Sequence, residues 1–264
     1  MDILRRLGNT VKYVKILVRD NKAVVRNLSE WSNSIVNPQE FYLDAFRFYY
    51  FNLPSKLKLH KKYFSRNSRG FGEKAFHTMW FLLYKKYAFS NFLEIGIYRG
   101  QIISLVGLLA NIEKKGIYLQ GISPFDNSGD LVSEYIPINY MEDVITNFEK
   151  FSLQPPNLLK ALSTDIEAHK TIASRLWDCI YIDGSHDYDI VKQDWDVCSR
   201  NLKQGGIIVL DDAALNTNYN PPFFAFPGHP GPSRLANEIE NNYTSFKEVL
   251  RVGHNRVFEK IKSN

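Results

Sequence analysis

Cysteine is scarce: the 264 residues contain only Cys179 and Cys198. The two do not form a metal or redox spacing, and the simpler reading is a pair of reduced core thiols, as suits a reducing cytoplasm. Long apolar runs are absent too. No segment approaches the roughly 18 apolar residues of a bilayer span. The opening MDILRRLGNTVKYVKILVRD scatters charge through the place where a secretory signal carries its apolar stretch, so it does not read as one. With 44% hydrophobic, 14% aromatic and 23% charged residues, the composition also excludes a disordered tail, a collagen-like chain and a coiled coil.

Charge is present but unevenly placed. The net +5 suggests an anionic partner, yet residues 1–75 hold 15 Lys and Arg against 6 Asp and Glu, whereas residues 76–264 hold 18 against 22. The basic character belongs to the N-terminal part. There, Ile3, Leu4, Leu7, Val11, Val14 and Leu17 recur at helical spacing between arginines and lysines, which predicts an amphipathic helix within residues 1–30. Two readings stand for residues 1–25: a helix on anionic lipid, peripheral to the inner membrane, or a helix packed on protein. Nucleic acid is not expected, because the rest of the chain is acidic and repels phosphate backbones. Residues 1–75, with the dense FYLDAFRFYYF patch and the loop SRNSRGFGEKAF, read as a basic helical cap on a domain of residues 76–264. A helix is predicted over 75–87.

From residue 91 strands and helices alternate. Strands are predicted at 91–96, 116–123, 157–163, 177–185 and 205–212, with helices at 100–112, 138–151, 165–176, 189–202 and 233–242. Such alternation implies an α/β fold, a doubly wound Rossmann-like parallel sheet with helices on both faces. Residues 245–261 add a hairpin around Gly253, hence an antiparallel edge that most dinucleotide-binding folds lack. Ligands of open α/β sheets sit beyond the carboxyl ends of the strands, so the residues there carry the site. The first strand ends in Glu94-Ile-Gly96-Ile-Tyr98-Arg99-Gly100, an E-x-G-x-x-x-G turn rather than the dinucleotide G-x-G-x-x-G. The fourth ends at Asp183 and the fifth at Asp211 and Asp212. Neighbouring strands would bring these three carboxylates together, at a cost unless a cation neutralises them. Oxygen ligands favour Mg²⁺ or another hard divalent ion. The other reading has Asp183 capping a turn, with only one later Asp facing the site.

LEIGIYRGQ, the LSTD after the third strand, IDGSH and LDD resemble the motifs of class I S-adenosylmethionine-dependent methyltransferases, over residues from about Gly70 to the C-terminal hairpin. The aspartate set is similar to that of the metal-dependent O-methyltransferases of the catechol and macrocin types. The resemblance implies that Glu94, Gly96, Tyr98, Arg99 and Gly100 lie around the methionine part of the cofactor. It implies Ser163 and Asp165 on the adenine side, although Asp165 is equally a helix N-cap. It implies Asp183 at the cofactor and, with Asp211 and Asp212, at the metal. The second strand ends in Ser123 where the family carries an acidic ribose ligand; Asp126, three residues on, is the substitute expected. Asp183 and His186 are the catalytic candidates. His186, three residues past Asp183, is placed to act as general base, or alternatively to cap the next helix.

Residues 213–232 are long for a connection and read as a lid. Phe223, Phe224, Phe226 and His229 either line an acceptor pocket or pack beneath the lid. Asn220-Pro221-Pro222-Phe223 resembles the tetrapeptide of amino-methylating enzymes but follows the wrong strand, so it carries no weight. The expected activity is O-methyl transfer to a small, possibly anionic acceptor such as a sugar or sugar phosphate, as in the bacterial polysaccharide-tailoring or secondary-metabolite relatives that RGFGEKAFHTMWFLL, EIGIYRGQIISL and GISPFDNSGD resemble. The alternatives are a hydroxylase-like enzyme on the same fold and a non-catalytic membrane-associated scaffold. A homo-oligomer is left open.

Overall fold

The computed structural model describes residues 16–128 and 135–262. Most of the basic segment 1–25 therefore lies outside the described residues. Within the described residues the chain is not one continuous helix. Residues 18–20 leave the helical conformation, and Asp20 caps a new helix, α1 (Asn21–Ser29), by accepting a hydrogen bond from the Ala23 amide at 2.9 Å. Three further helices follow, α2 (Asn33–Val36), α3 (Pro38–Phe51) and α4 (Ser55–Phe64), and then α5 (Lys74–Tyr87).

The alternating part follows as expected: β1 (Asn91–Ile95), α6 (Gln101–Ile112), β2 (Tyr118–Ser123), α7 (Tyr140–Lys150), β3 (Asn157–Lys160), α8 (Ile166–Ala173), β4 (Trp177–Ile182), α9 (Tyr188–Arg200), β5 (Leu202–Leu210), α10 (Pro230–Asn242), β6 (Phe246–Val252) and β7 (Asn255–Lys260). The seven strands form one sheet in the order β3-β2-β1-β4-β5-β7-β6, with β1 to β5 parallel and β7 antiparallel to both neighbours. Strand order reverses at β1, between β2 and β4, and the crevice opens there. The expected α/β architecture with its antiparallel hairpin edge is the observed one. β3 is shorter than its predicted run: its four residues are half-buried or exposed at the sheet edge, and Ala161 makes the last bond to β2, its amide donating to the Ser123 carbonyl at 3.1 Å.

Two layers of core flank the sheet. On one face Trp177, Trp195 and Phe258 pack beneath α8 to α10. On the other, Trp80 and Phe92 join Phe41, Tyr42 and Phe46 of α3 in one continuous cluster. The N-terminal helices thus complete the sheet's second layer. Part of their basic charge is used internally: Arg47 is 7% exposed and is held by Asp44 at 2.6 Å and Glu40 at 2.8 Å.

Candidate active site

A cavity of about 830 Å³ opens at the carboxyl ends of β1, β4 and β5. Its two halves are built differently.

The first half is the turn after β1. Gly96 has φ +88°, and a Cβ there would meet the Asp183 carbonyl oxygen at 1.9 Å, so glycine is required where the β1 and β4 ends touch. Glu94 is buried beneath the turn. It accepts a hydrogen bond from the Ile103 amide, but its Oε2 has no partner, and burial pushes the carboxyl well above its usual range. An orphaned buried carboxylate oxygen on the cavity wall fits the cationic end of an aminoacyl group. Tyr98 stands among Phe71, Tyr135 and Tyr140, with ring centroids 5.0, 5.8 and 5.2 Å away. Arg99 is a brace. It makes a two-pronged ion pair with Asp143 of α7, at 2.7 and 2.9 Å, and donates to the Asn67 carbonyl at 2.8 Å. Gln101 accepts from the Gly72 amide at 3.1 Å, so the loop before α5 closes onto the start of α6.

Beneath this turn lies a buried relay. Ser104 donates to the Gly100 carbonyl at 2.6 Å, and its oxygen lies 3.0 Å from His60 Nε2. His60 Nδ1 in turn shares a hydrogen bond with His77 Nε2 at 3.1 Å. Burial lowers His60 to about 3 and His77 well below its ordinary value, so both stay neutral.

Ser123 and Ser163 line the cavity; Asp126 and Asp165 are not among its lining residues. Asp126 is half-buried, accepts from the Ser128 amide at 2.9 Å and lies 3.7 Å from Lys160. Asp165 accepts from the Leu162 amide at 2.9 Å and braces its own turn at the start of α8.

The second half gathers side chains from four distant segments. Asp211 and Asp212 follow β5, and Asp183 follows β4. The Asp183 and Asp211 carboxyls share a hydrogen bond, and both are pushed up, first by burial and then by each other's or Asp212's charge. Asp212 is the hub. Its Oδ2 accepts from His186 Nε2 at 2.8 Å and lies 3.7 Å from His229 Nε2, while its Oδ1 lies 3.6 Å from His254 Nε2. Burial would raise its pKa, yet the His186 hydrogen bond and the nearby imidazoles hold it below the usual carboxylate value. His254 also sits 3.4 Å from Asp211 Oδ1, and the two carboxylates raise it against the effect of its own burial. The helix after β4 is capped by Asp187, which accepts from the Asp189 and Ile190 amides, and His186 is turned to the cavity.

The lid is pinned by a bridge between Ala213 and Gly228. Gly228 has φ +106°, and a Cβ would lie 2.2 Å from the Asp212 carbonyl oxygen. Both readings of the lid aromatics hold in part. Phe224 stacks on Phe46 of α3 at 5.0 Å and also lines the cavity, as do the more exposed Phe223 and Phe226 and the half-buried His229. From the cap side come Phe76 and Glu73, the latter accepting a hydrogen bond from Tyr42.

Sequence reasoning missed Glu73 and His254 as site residues. A His directly after the hairpin glycine was the one available sign of the latter. A divalent cation fits the donor set of the second half: Asp212 with His186 and His229, or Asp211 and Asp212 with His254, each have ligand atoms within 4.8 Å of one another. Asp183 is in neither group.

The sheet order, the glycine turn and the carboxylates at the strand ends define the class I S-adenosylmethionine-dependent methyltransferase fold. Residues 93–213, a little under half of the chain, match the family model described as a methyltransferase domain. Solved structures agree in fold. An O-methyltransferase from Bacillus cereus in complex with SAH is 14% identical, with 80% of this chain and 93% of that one covered at a TM-score of 0.54. The O-methyltransferase TomG from Streptomyces achromogenes, involved in tomaymycin synthesis and in complex with SAM, is 13% identical over 85% and 99% at 0.55. An SAH-bound methyltransferase from Podospora anserina is 13% identical over 79% and 88% at 0.54. A search of curated protein sequences gave no match. No helix among the described residues is long and apolar enough to cross a membrane.

Proposed function

We propose that the chain transfers the methyl group of S-adenosylmethionine to a hydroxyl of a small acceptor, with a divalent cation assisting. The observation that carries this reading is the single cavity in which the Glu94–Gln101 turn faces the Asp212-centred cluster. The reaction class is an in-line displacement at a sulfonium methyl, for which the protein chiefly aligns nucleophile, carbon and leaving sulfur.

Glu94 and the Gly96 turn hold the aminoacyl end of the cofactor, and Tyr98 with Phe71 walls it. Leu162, Ser163 and Thr164 lie along the adenine side. Ser123, whose hydroxyl donates to the Ile97 carbonyl at 3.0 Å, stands at the ribose position without a carboxylate. Asp212 takes the Nε2 proton of His186 in a hydrogen bond, so in the neutral ring Nδ1 carries the lone pair and receives the acceptor's hydroxyl proton as the oxygen–carbon bond forms. A cation held by Asp211 and Asp212 would supply positive charge that orients the acceptor and makes its hydroxyl more acidic. Phe76, Phe223 and Phe226 offer ring faces to the apolar side of an acceptor, while Glu73 and the imidazoles offer polar contacts. This lining suits a hydroxylated ring such as a sugar, of the kind used in polysaccharide or secondary-metabolite tailoring. A sugar phosphate would need the cation to offset the carboxylates.

Calorimetry with S-adenosylhomocysteine, with and without a divalent ion, tests the reading. Binding that Glu94→Gln weakens supports it. Transfer assays on a panel of hydroxylated acceptors should show His186→Ala lowering kcat by about 10²-fold or more, and full turnover in that variant would remove His186 as the base.

A further inference from the structure

His254 sits on the two-residue turn between β6 and β7, far in sequence from every other residue of the cluster. Its ring is only 5% exposed and is fixed between Phe76 and Phe226, with centroids 4.6 and 4.7 Å away. Its Nδ1 lies 3.2 Å from the Phe226 carbonyl oxygen. A carbonyl can only accept, so Nδ1 carries the hydrogen. Nε2 then faces Asp211 Oδ1 at 3.4 Å and Asp212 Oδ1 at 3.6 Å. The two carboxylates favour a proton on Nε2, and a divalent ion that displaces this proton would sit among the same three ligand atoms. Asp211 Oδ1 is shielded from solvent and receives no hydrogen bond of normal geometry. Metal-ligating histidines commonly hold their tautomer in this way, by donating the other ring N–H to a backbone carbonyl.

We propose that Asp211, Asp212 and His254 form a two-carboxylate, one-imidazole site that takes a nitrogen-accepting divalent ion such as Fe²⁺, Co²⁺ or Zn²⁺ in preference to Mg²⁺ or Ca²⁺. The three ligand atoms lie within 4.8 Å of one another. Asp183 stands behind the site, hydrogen-bonded to Asp211 and orienting it, rather than completing an all-oxygen shell. Oxygen-only sites suit Mg²⁺ and Ca²⁺, and an imidazole shifts the balance toward the later first-row ions. Asp212 serves both neighbours, His254 through Oδ1 and His186 through Oδ2, so His186 keeps its role as base. The inference rests on the reading of this cavity as a metal-assisted methyl-transfer site.

The full chain, freed of metal with a chelator, is titrated separately with Co²⁺ and Mg²⁺, and S-adenosylhomocysteine is titrated in parallel. Co²⁺ is expected to bind about 10²-fold more tightly than Mg²⁺ or better. The Co²⁺ form should show one solvent-exchangeable, paramagnetically shifted imidazole N–H resonance, that of His254 Nδ1. His254→Ala should abolish that resonance and weaken Co²⁺ by about 100-fold. Co²⁺ and Mg²⁺ binding within about threefold of each other, or no metal binding, overturns the proposal. So does the absence of the resonance in the wild-type protein, a measurement that does not depend on how the variant folds. Metal binding with the resonance but no homocysteine-cofactor binding would instead overturn the methyl-transfer reading and leave the metal site standing.

Discussion

The two halves of the cavity solve different problems. The cofactor half is one turn of eight residues, Glu94–Gln101, shaped by backbone conformation and by glycines that let β1 and β4 meet. The reactive half has no such local unit. It draws Glu73 from the cap, Asp183 and His186 from the end of β4, Asp211 and Asp212 from the end of β5 with His229 in the loop that follows, and His254 from the terminal hairpin. Short-range geometry builds the first half. The half proposed to meet the acceptor is assembled from segments distant in the chain.

That contrast predicts separable damage. Gly96→Ala should have the largest effect, because its Cβ would fall 1.9 Å from a backbone oxygen at φ +88°. It should cost about 3 kcal/mol in urea unfolding and remove S-adenosylhomocysteine binding in calorimetry. Gly228→Ala perturbs the other half. Its Cβ would press on the Asp212 carbonyl, so turnover should fall at least about tenfold, with stability lowered by about 1–2 kcal/mol and cofactor affinity little changed. Loss of cofactor binding in that variant would mean that the halves are not separable.

The relay from His77 through His60 and Ser104 to Gly100 ties the cap to the cofactor half. His60 titrates near 3 when folded and near 6.5 when unfolded, so between those values the unfolded chain binds more protons. The His60 contribution to stability therefore rises with pH across that window and is lost as pH falls through it. Buried carboxyls such as Asp194, raised to about 7, contribute with the opposite sign, so the test is a difference: the stability of the wild type relative to His60→Gln in urea unfolding should rise between pH 4 and 7. The smallest effect is expected of Asp126→Asn. Its side chain is tied to the Ser128 amide and is not part of the cavity lining, so cofactor affinity should stay within about twofold. A large loss would return Asp126 to the ribose.

Much of the sheet was legible because its cues are local. Apolar runs ending in Gly96, Ser123, Asp183 and Asp211 mark strand ends, and helical spacing marks the segments between them. Gly253, with φ +61°, marks the hairpin. The cluster was legible only as far as its carboxylates. His254 gave no periodic signal, since its role depends on β7 pairing beside β5. Glu73 gave none because Tyr42, which holds it, lies on α3. The basic N-terminal helices read as a cap, and their spacing did not tell that Phe41, Tyr42 and Phe46 lie in the same core as Trp80 and Phe92. Amphipathic spacing tells that a face is buried and is silent about what covers it.

The sequence alone determined the alternation, the glycine turn and the acidic strand ends, since each follows from residues adjacent in the chain. Only the tertiary structure decided that Asp212 is shared by three imidazoles, that Asp183 leans on Asp211, and that Asp126 is not among the residues lining the cavity. Those outcomes depend on side-chain directions at the meeting of strands and loops far apart in sequence, where a few ångströms separate a ligand from a bystander.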